Sequence, residues 1–170
     1  MITLVLGGAR SGKSALAERL TAVGPGPTTY VATMQAGDDP DLRRRIEIHR
    51  DRRPAGWTTL EAGLDLPDLV MAAPPGSLLI DSLGPWVALH GGAPVDEAAL
   101  CRALRERAGD HHTVVVSEEV GLGVHPSSAE GRQFRDALGH LNQAVAAVAD
   151  RALLVVAGRT LTLDPPPAVD

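Results

Sequence analysis

Hydrophobic residues fall along this chain in short dense runs separated by longer stretches of mixed polarity. Five such runs, at residues 2–6, 28–32, 77–81, 113–117 and 152–157, read as β-strands. Several are apolar throughout instead of alternating, the pattern of strands buried on both faces of a parallel sheet. Between them lie helical candidates at 14–23, 41–50, 96–108 and 130–149. After Gly158, the short run 160–163 predicts a hairpin partner at the sheet edge. Strands alternating with helices predict an α/β fold. The expected form is a mostly parallel sheet with helices on both faces, right-handed crossovers and an antiparallel edge strand. Residues 24–27, 74–76 and 91–94, rich in Gly and Pro, read as connecting loops. No internal repeat or domain boundary interrupts the pattern, so residues 1–164 are expected to form one domain. The proline-rich end, 165–170, is expected to be a disordered tail.

The connection between the first strand and the first helix carries the most specific chemistry. Gly7-Gly8-Ala9-Arg10-Ser11-Gly12-Lys13-Ser14 matches the G-x-x-x-x-G-K-[ST] phosphate loop. Its glycines let the backbone curl so that successive N–H groups point at phosphate oxygens. The helix that follows adds the positive end of its dipole. Lys13 is the chain's single lysine among 16 cationic side chains. A compact ammonium on a flexible stem fits between phosphates better than a planar guanidinium. Ser14 offers a hydroxyl to the Mg²⁺ that accompanies a nucleotide. In a parallel sheet, ligands bind beyond the carboxyl ends of the strands. That rule brings Gly7, 32–34, Asp81 and 117–119 together. Asp81, ending an apolar strand, is the expected Mg²⁺ partner, with a helix-capping role as its alternative. Glu118 and Glu119 end the next strand, with metal or hydroxyl chemistry and a solvated turn equally open.

Composition narrows the class. The chain has 170 residues, a net charge of −5 and an aromatic content of 2%, which argue against nucleic acid as a partner. No run approaches a transmembrane helix and no targeting segment is recognisable, so a cytoplasmic protein is expected. Cys101 stands alone, in keeping with a reducing compartment. His90, His111, His112, His125 and His140 have no metal-ligand spacing.

One segment departs from the acidic whole. Residues 43–53 hold six arginines and two acids around His49. Such a cationic excess suits a triphosphate. Helical spacing places Arg45, His49 and Arg52 or Arg53 on one face. Neighbouring guanidinium groups disfavour the imidazolium, which leaves a neutral ring whose lone pair can attack phosphorus. The plainer alternative is an exposed histidine on a solvated helix. The glycine-bounded loop 121–128 reads either as a mobile flap over substrate or as a surface loop.

Taken together, these residues resemble the bifunctional adenosylcobinamide kinase / adenosylcobinamide-phosphate guanylyltransferase family of cobalamin biosynthesis. The likeness runs through GGARSGKS, Tyr30-Val31-Ala32-Thr33, the arginine-rich segment with His49, and Trp57-Thr58-Thr59 with Glu61. It continues through Leu79-Ile80-Asp81-Ser82-Leu83 and Trp86, Ser117-Glu118-Glu119-Val120-Gly121, Gly131-Arg132, Asn142 and Ala149-Asp150. The resemblance implies a P-loop sheet, a homotrimer and two reactions. A nucleoside triphosphate, GTP or ATP, phosphorylates the aminopropanol hydroxyl of adenosylcobinamide. GTP then gives GMP to a histidine, and onward to the phosphorylated corrinoid. By motif position that histidine is His49, with Lys13 as the second catalytic residue. Nucleotide contacts fall on Gly7, Gly8, Ala9, Arg10, Ser11, Gly12, Lys13, Ser14, Ala32, Thr33, Met34, Arg50, Asp51, Arg52, Arg53, Glu61 and Asp81, and Mg²⁺ on Ser14 and Asp81. The sequence leaves the family pattern where Glu118 stands for the usual Asn, where Gly84-Pro85 precedes Trp86, and at Leu163-Asp164. A different P-loop small-molecule kinase, with His49 only structural, is the competing reading. A nucleotide-gated binding module is a third, weakened because no second lysine exists to build a guanine-reading Asn-Lys-x-Asp motif.

Overall fold

The computed structural model describes residues 1–34, 43, 44, 46, 47, 50, 54–109 and 111–167. Among the described residues, seven strands form one sheet in the order β3-β2-β4-β5-β1-β6-β7. They are β1 (Ile2–Gly7), β2 (Thr28–Ala32), β3 (Thr58–Glu61), β4 (Ser77–Asp81), β5 (His112–Glu118), β6 (Arg151–Val156) and β7 (Arg159–Leu163). The helices whose bounds lie within the described residues are α1 (Lys13–Ala22), α2 (Leu66–Ala72), α3 (Leu83–Leu89), α4 (Glu97–Arg107) and α5 (Ala129–Val148). All neighbouring strands are parallel except the β6–β7 hairpin.

The expected mostly parallel sheet with an antiparallel edge strand is therefore present. Helices pack on both of its faces. On one, Leu4, Leu6, Leu78, Ile80 and Val115 pack against α2 (Leu66, Val70), α3 (Leu83, Trp86), α4 (Leu100, Leu104) and α5 (Leu138, Leu141, Val145). On the other, Val5, Leu79, Val114, Val116 and Tyr30 pack with Ala17 of α1. Adjacent residues of one strand thus point into different cores, which is why these strands read as continuous apolar runs.

Three elements escaped the hydrophobic pattern. β3 is an edge strand whose Thr58, Thr59 and Glu61 are exposed, so no apolar alternation marks it. α2 and α3 have seven residues each, with Pro67 near the start of one and Pro85 inside the first turn of the other. Proline is tolerated there because the first-turn N–H has no intrahelical partner. Of the predicted helix 41–50, residues 43, 44, 46, 47 and 50 are helical, and the other five lie outside the described residues.

The predicted strand end at 157 is corrected by one residue. Ala157 (φ 51°) and Gly158 (φ 74°) form the two-residue turn of the β6–β7 hairpin. Two successive positive φ values match the right-handed twist of the strands they join.

Candidate functional site

The carboxyl edge of the sheet collects the candidate residues in register. Glu61, Ala32 and Asp81 lie side by side at the ends of β3, β2 and β4. Gly7 pairs with Glu118 at the ends of β1 and β5. β5 therefore separates the strand that feeds the phosphate loop from the strand that ends in Asp81.

The phosphate loop is held by its own backbone and by the hairpin behind it. Ser11 N–H donates to Gly8 O at 3.3 Å and Gly158 N–H donates to Ser11 O at 2.8 Å. Arg10 and Gly12 have positive φ of 56° and 96°. Gly7 must be glycine, since a Cβ there would overlap the Ser11 hydroxyl and Val155 O. Gly12, at the N-cap of α1, provides no side-chain cap, and the Lys13 N–H donates to Ser11 Oγ at 3.4 Å. The Lys13 ammonium curls back over the loop to Gly8 O at 3.3 Å. It also faces Glu118 Oε1 at 3.6 Å.

Beside it, Ser14 Oγ donates to Asp81 Oδ1 at 3.2 Å and Tyr30 OH donates to Asp81 Oδ2 at 2.9 Å. This adjacent hydroxyl and carboxylate are hard oxygen donors of the kind Mg²⁺ takes, so both predicted metal residues fit the ion. Thr33 is fully buried, and its hydroxyl is used internally. It donates to Ser82 O at 2.5 Å and accepts from Ser82 N–H at 2.9 Å, fixing the turn after Asp81.

The acid pair on β5 divides its labour. Glu119 Oε1 accepts N–H bonds from Gly121 at 2.5 Å and Leu122 at 3.2 Å, so it shapes the start of the following loop. Glu118 turns toward the phosphate loop. Its Oε1 accepts from Ser82 Oγ at 2.8 Å and its Oε2 from Gly84 N–H at 2.9 Å. A Cβ at Gly84 would overlap Glu118 Oε2. Two of the departures from the family pattern, Glu118 and Gly84, thus touch each other. Asn142 on α5 anchors this strand end. Its Oδ1 accepts from Ser117 Oγ at 2.6 Å and its Nδ2 donates to Glu118 O at 3.1 Å. Asp150, another residue of the resemblance, accepts from Ile2 N–H at 2.6 Å and holds the start of β1. The pairing of Glu118 with Lys13 spans more than a hundred positions, and no local motif announces it.

A second feature lies at the β3 edge. Arg50 Nη2 pairs with Glu61 Oε1 at 2.7 Å. Both line an open cleft of about 490 Å³ with Pro54, Ala55, Trp57 and Thr59. Its volume falls in the range of small-ligand sites. Arg45, His49, Asp51, Arg52 and Arg53 lie outside the described residues.

A phosphate loop at the carboxyl edge of a mostly parallel sheet, its lysine and serine beside a strand-end aspartate, defines a P-loop nucleotide-binding enzyme. Among solved structures, an ATPase from the type III secretion system of pathogenic bacteria shares the fold. Its TM-score is 0.56 at 11% identity, over 90% of this chain and 51% of that one. Residues 3–163 match the cobinamide kinase / cobinamide phosphate guanyltransferase family. The bifunctional adenosylcobalamin biosynthesis protein CobP of Pseudomonas aeruginosa is 41% identical over 175 residues, covering 96% of this chain and 97% of its own. CobU of Salmonella typhimurium, with the same description, is 38% identical over 177 residues, covering 93% and 97%. The chain belongs to the cobinamide kinase / cobinamide phosphate guanyltransferase family, and is a transferase of cobalamin biosynthesis. Among the described residues, no helix is long and apolar enough to cross a membrane.

Proposed function

We propose that the protein phosphorylates the aminopropanol hydroxyl of adenosylcobinamide and then guanylylates the product through His49. In the first step the hydroxyl oxygen attacks the γ-phosphorus of ATP or GTP, the nucleoside diphosphate leaves and the hydroxyl proton is released. In the second, a ring nitrogen of His49 attacks the α-phosphorus of GTP and pyrophosphate leaves. A phosphate oxygen of adenosylcobinamide phosphate then displaces the histidine, giving adenosylcobinamide-GDP.

The observation that carries this reading is the cradle itself. Lys13, the N-terminus of α1 and the Ser14–Asp81 pair converge where a triphosphate needs charge neutralisation. Ser14 and Asp81 would hold Mg²⁺, which supplies positive charge against the phosphate oxygens when bound. Arg50 and Glu61, in their cleft at the β3 edge, supply a second polar surface for nucleotide. The expected assembly, from the family resemblance, is a homotrimer.

Turnover analysis of wild type and His49→Ala tests the proposal. With adenosylcobinamide, ATP, GTP and Mg²⁺, wild type should yield adenosylcobinamide-GDP, whereas H49A should stop at adenosylcobinamide phosphate. Formation of the GDP derivative by H49A at an undiminished rate would contradict the role of His49. It would favour a kinase in which that residue is structural.

A further inference from the structure

A carboxylate facing the phosphate-loop lysine is an unexpected neighbour for a polyanion. Glu118 is also firmly held there. Its two oxygens accept from Ser82 Oγ and Gly84 N–H, its carbonyl is tied to Asn142 and its strand pairs with β1 at Gly7. The Gly84 position has room for the carboxylate only because it lacks a Cβ. Swinging Glu118 away would therefore orphan two partly buried donors.

A phosphate that Lys13 accepts must lie within a few ångströms of this negative charge, since Lys13 Nζ is 3.6 Å from Glu118 Oε1. The repulsion acts on whatever charge the ligand brings, and at short range in a partly buried site it is weakly screened. A metal-free triphosphate brings two more negative charges than its magnesium complex. Selection between related ligands is commonly built from a repulsive element aimed at the unwanted one.

We infer that Glu118 is a specificity-determining residue that makes the phosphate loop reject metal-free nucleoside triphosphate and accept the metal-bound form. The inference rests on reading the loop as a triphosphate cradle. Lys13 supplies attraction to either form; Glu118 subtracts from it, and subtracts more from the free anion.

Equilibrium titration with GTP, in Mg²⁺ and in EDTA, reads this directly on wild type, Glu118→Gln and Glu118→Asp. Wild type should favour the magnesium complex. E118Q keeps an acceptor for Gly84 N–H but removes the charge. It should narrow the Kd ratio between the two forms by about tenfold, about 1.4 kcal/mol, chiefly by tightening metal-free binding. E118D should keep the preference. An unchanged ratio in E118Q, or parallel weakening of both forms, would overturn the inference. If thermal melting shows E118Q to be unfolded, Glu118→Asn decides. It also removes the charge, and should narrow the ratio between metal-bound and metal-free GTP in the same way. An unchanged ratio in a folded E118N would refute the gate. Failure of wild type to bind GTP in Mg²⁺ would remove the cradle itself, and the inference with it.

Discussion

Lys13 is where local sequence and long-range structure meet. The motif announces its identity and its place at the start of α1, but its surroundings come from elsewhere. Its side chain is 12% exposed, packed between Gly8 O and Glu118. Lys13→Ala should weaken GTP binding in Mg²⁺ by about two orders of magnitude, the loss of a charge-assisted contact worth about 2–3 kcal/mol. Isothermal titration against wild type checks it, and a loss under threefold would remove Lys13 from phosphate binding. Ser14 and Asp81 were legible in the same way, since a strand-end acid and a loop serine each have a recognised partner in nucleotide chemistry. Tyr30, Ser82, Gly84 and Asn142 were not. Each acts through a contact with a residue far off in sequence, and neither its type nor its spacing gives that contact away.

At the scale of elements, the pattern located what is apolar and missed what is short or exposed. β1, β2, β4, β5 and β6 were visible because two cores bury them from both sides. β3 was hidden by its exposed threonines, and α2 and α3 by their prolines. The first residue of β5 gives this scale its own test. His112 is buried and its Nε2 has no hydrogen-bond partner among the described residues. Burial, and secondarily the positive chain terminus, push its pKa below the ordinary histidine value of about 6.5. The folded chain therefore refuses a proton that the unfolded chain accepts below that value. Stability present above about pH 6.5 is lost as pH falls through the lowered folded value. The melting temperature should drop between pH 7 and pH 5, and drop less in His112→Gln. Equal pH dependence in the two proteins would show that His112 contributes nothing to acid sensitivity.

Over the whole molecule, strand order decides which residues can cooperate. Placing β5 between β1 and β4 sets Glu118 between the phosphate loop and the strand ending in Asp81. The β6–β7 turn supports the same loop from behind through Gly158 N–H and Ser11 O. Alternating strands and helices were enough to foresee the sheet and its ligand-binding edge. They could not foresee that α2, α3, α4 and α5 pack on one face and α1 on the other. That division follows from which face each crossover packs against. The sheet edge also separates two regions of chemistry, the phosphate loop at β1 and the Arg50–Glu61 cleft at β3. A protein performing phosphoryl and nucleotidyl transfer has use for both. The most direct test of the central claim, nucleotidyl transfer through His49, is the intact-protein mass after incubation with GTP and Mg²⁺ alone. One added GMP per chain, absent in His49→Ala, is the predicted result; an unmodified mass in wild type, or the same adduct in the variant, would contradict it.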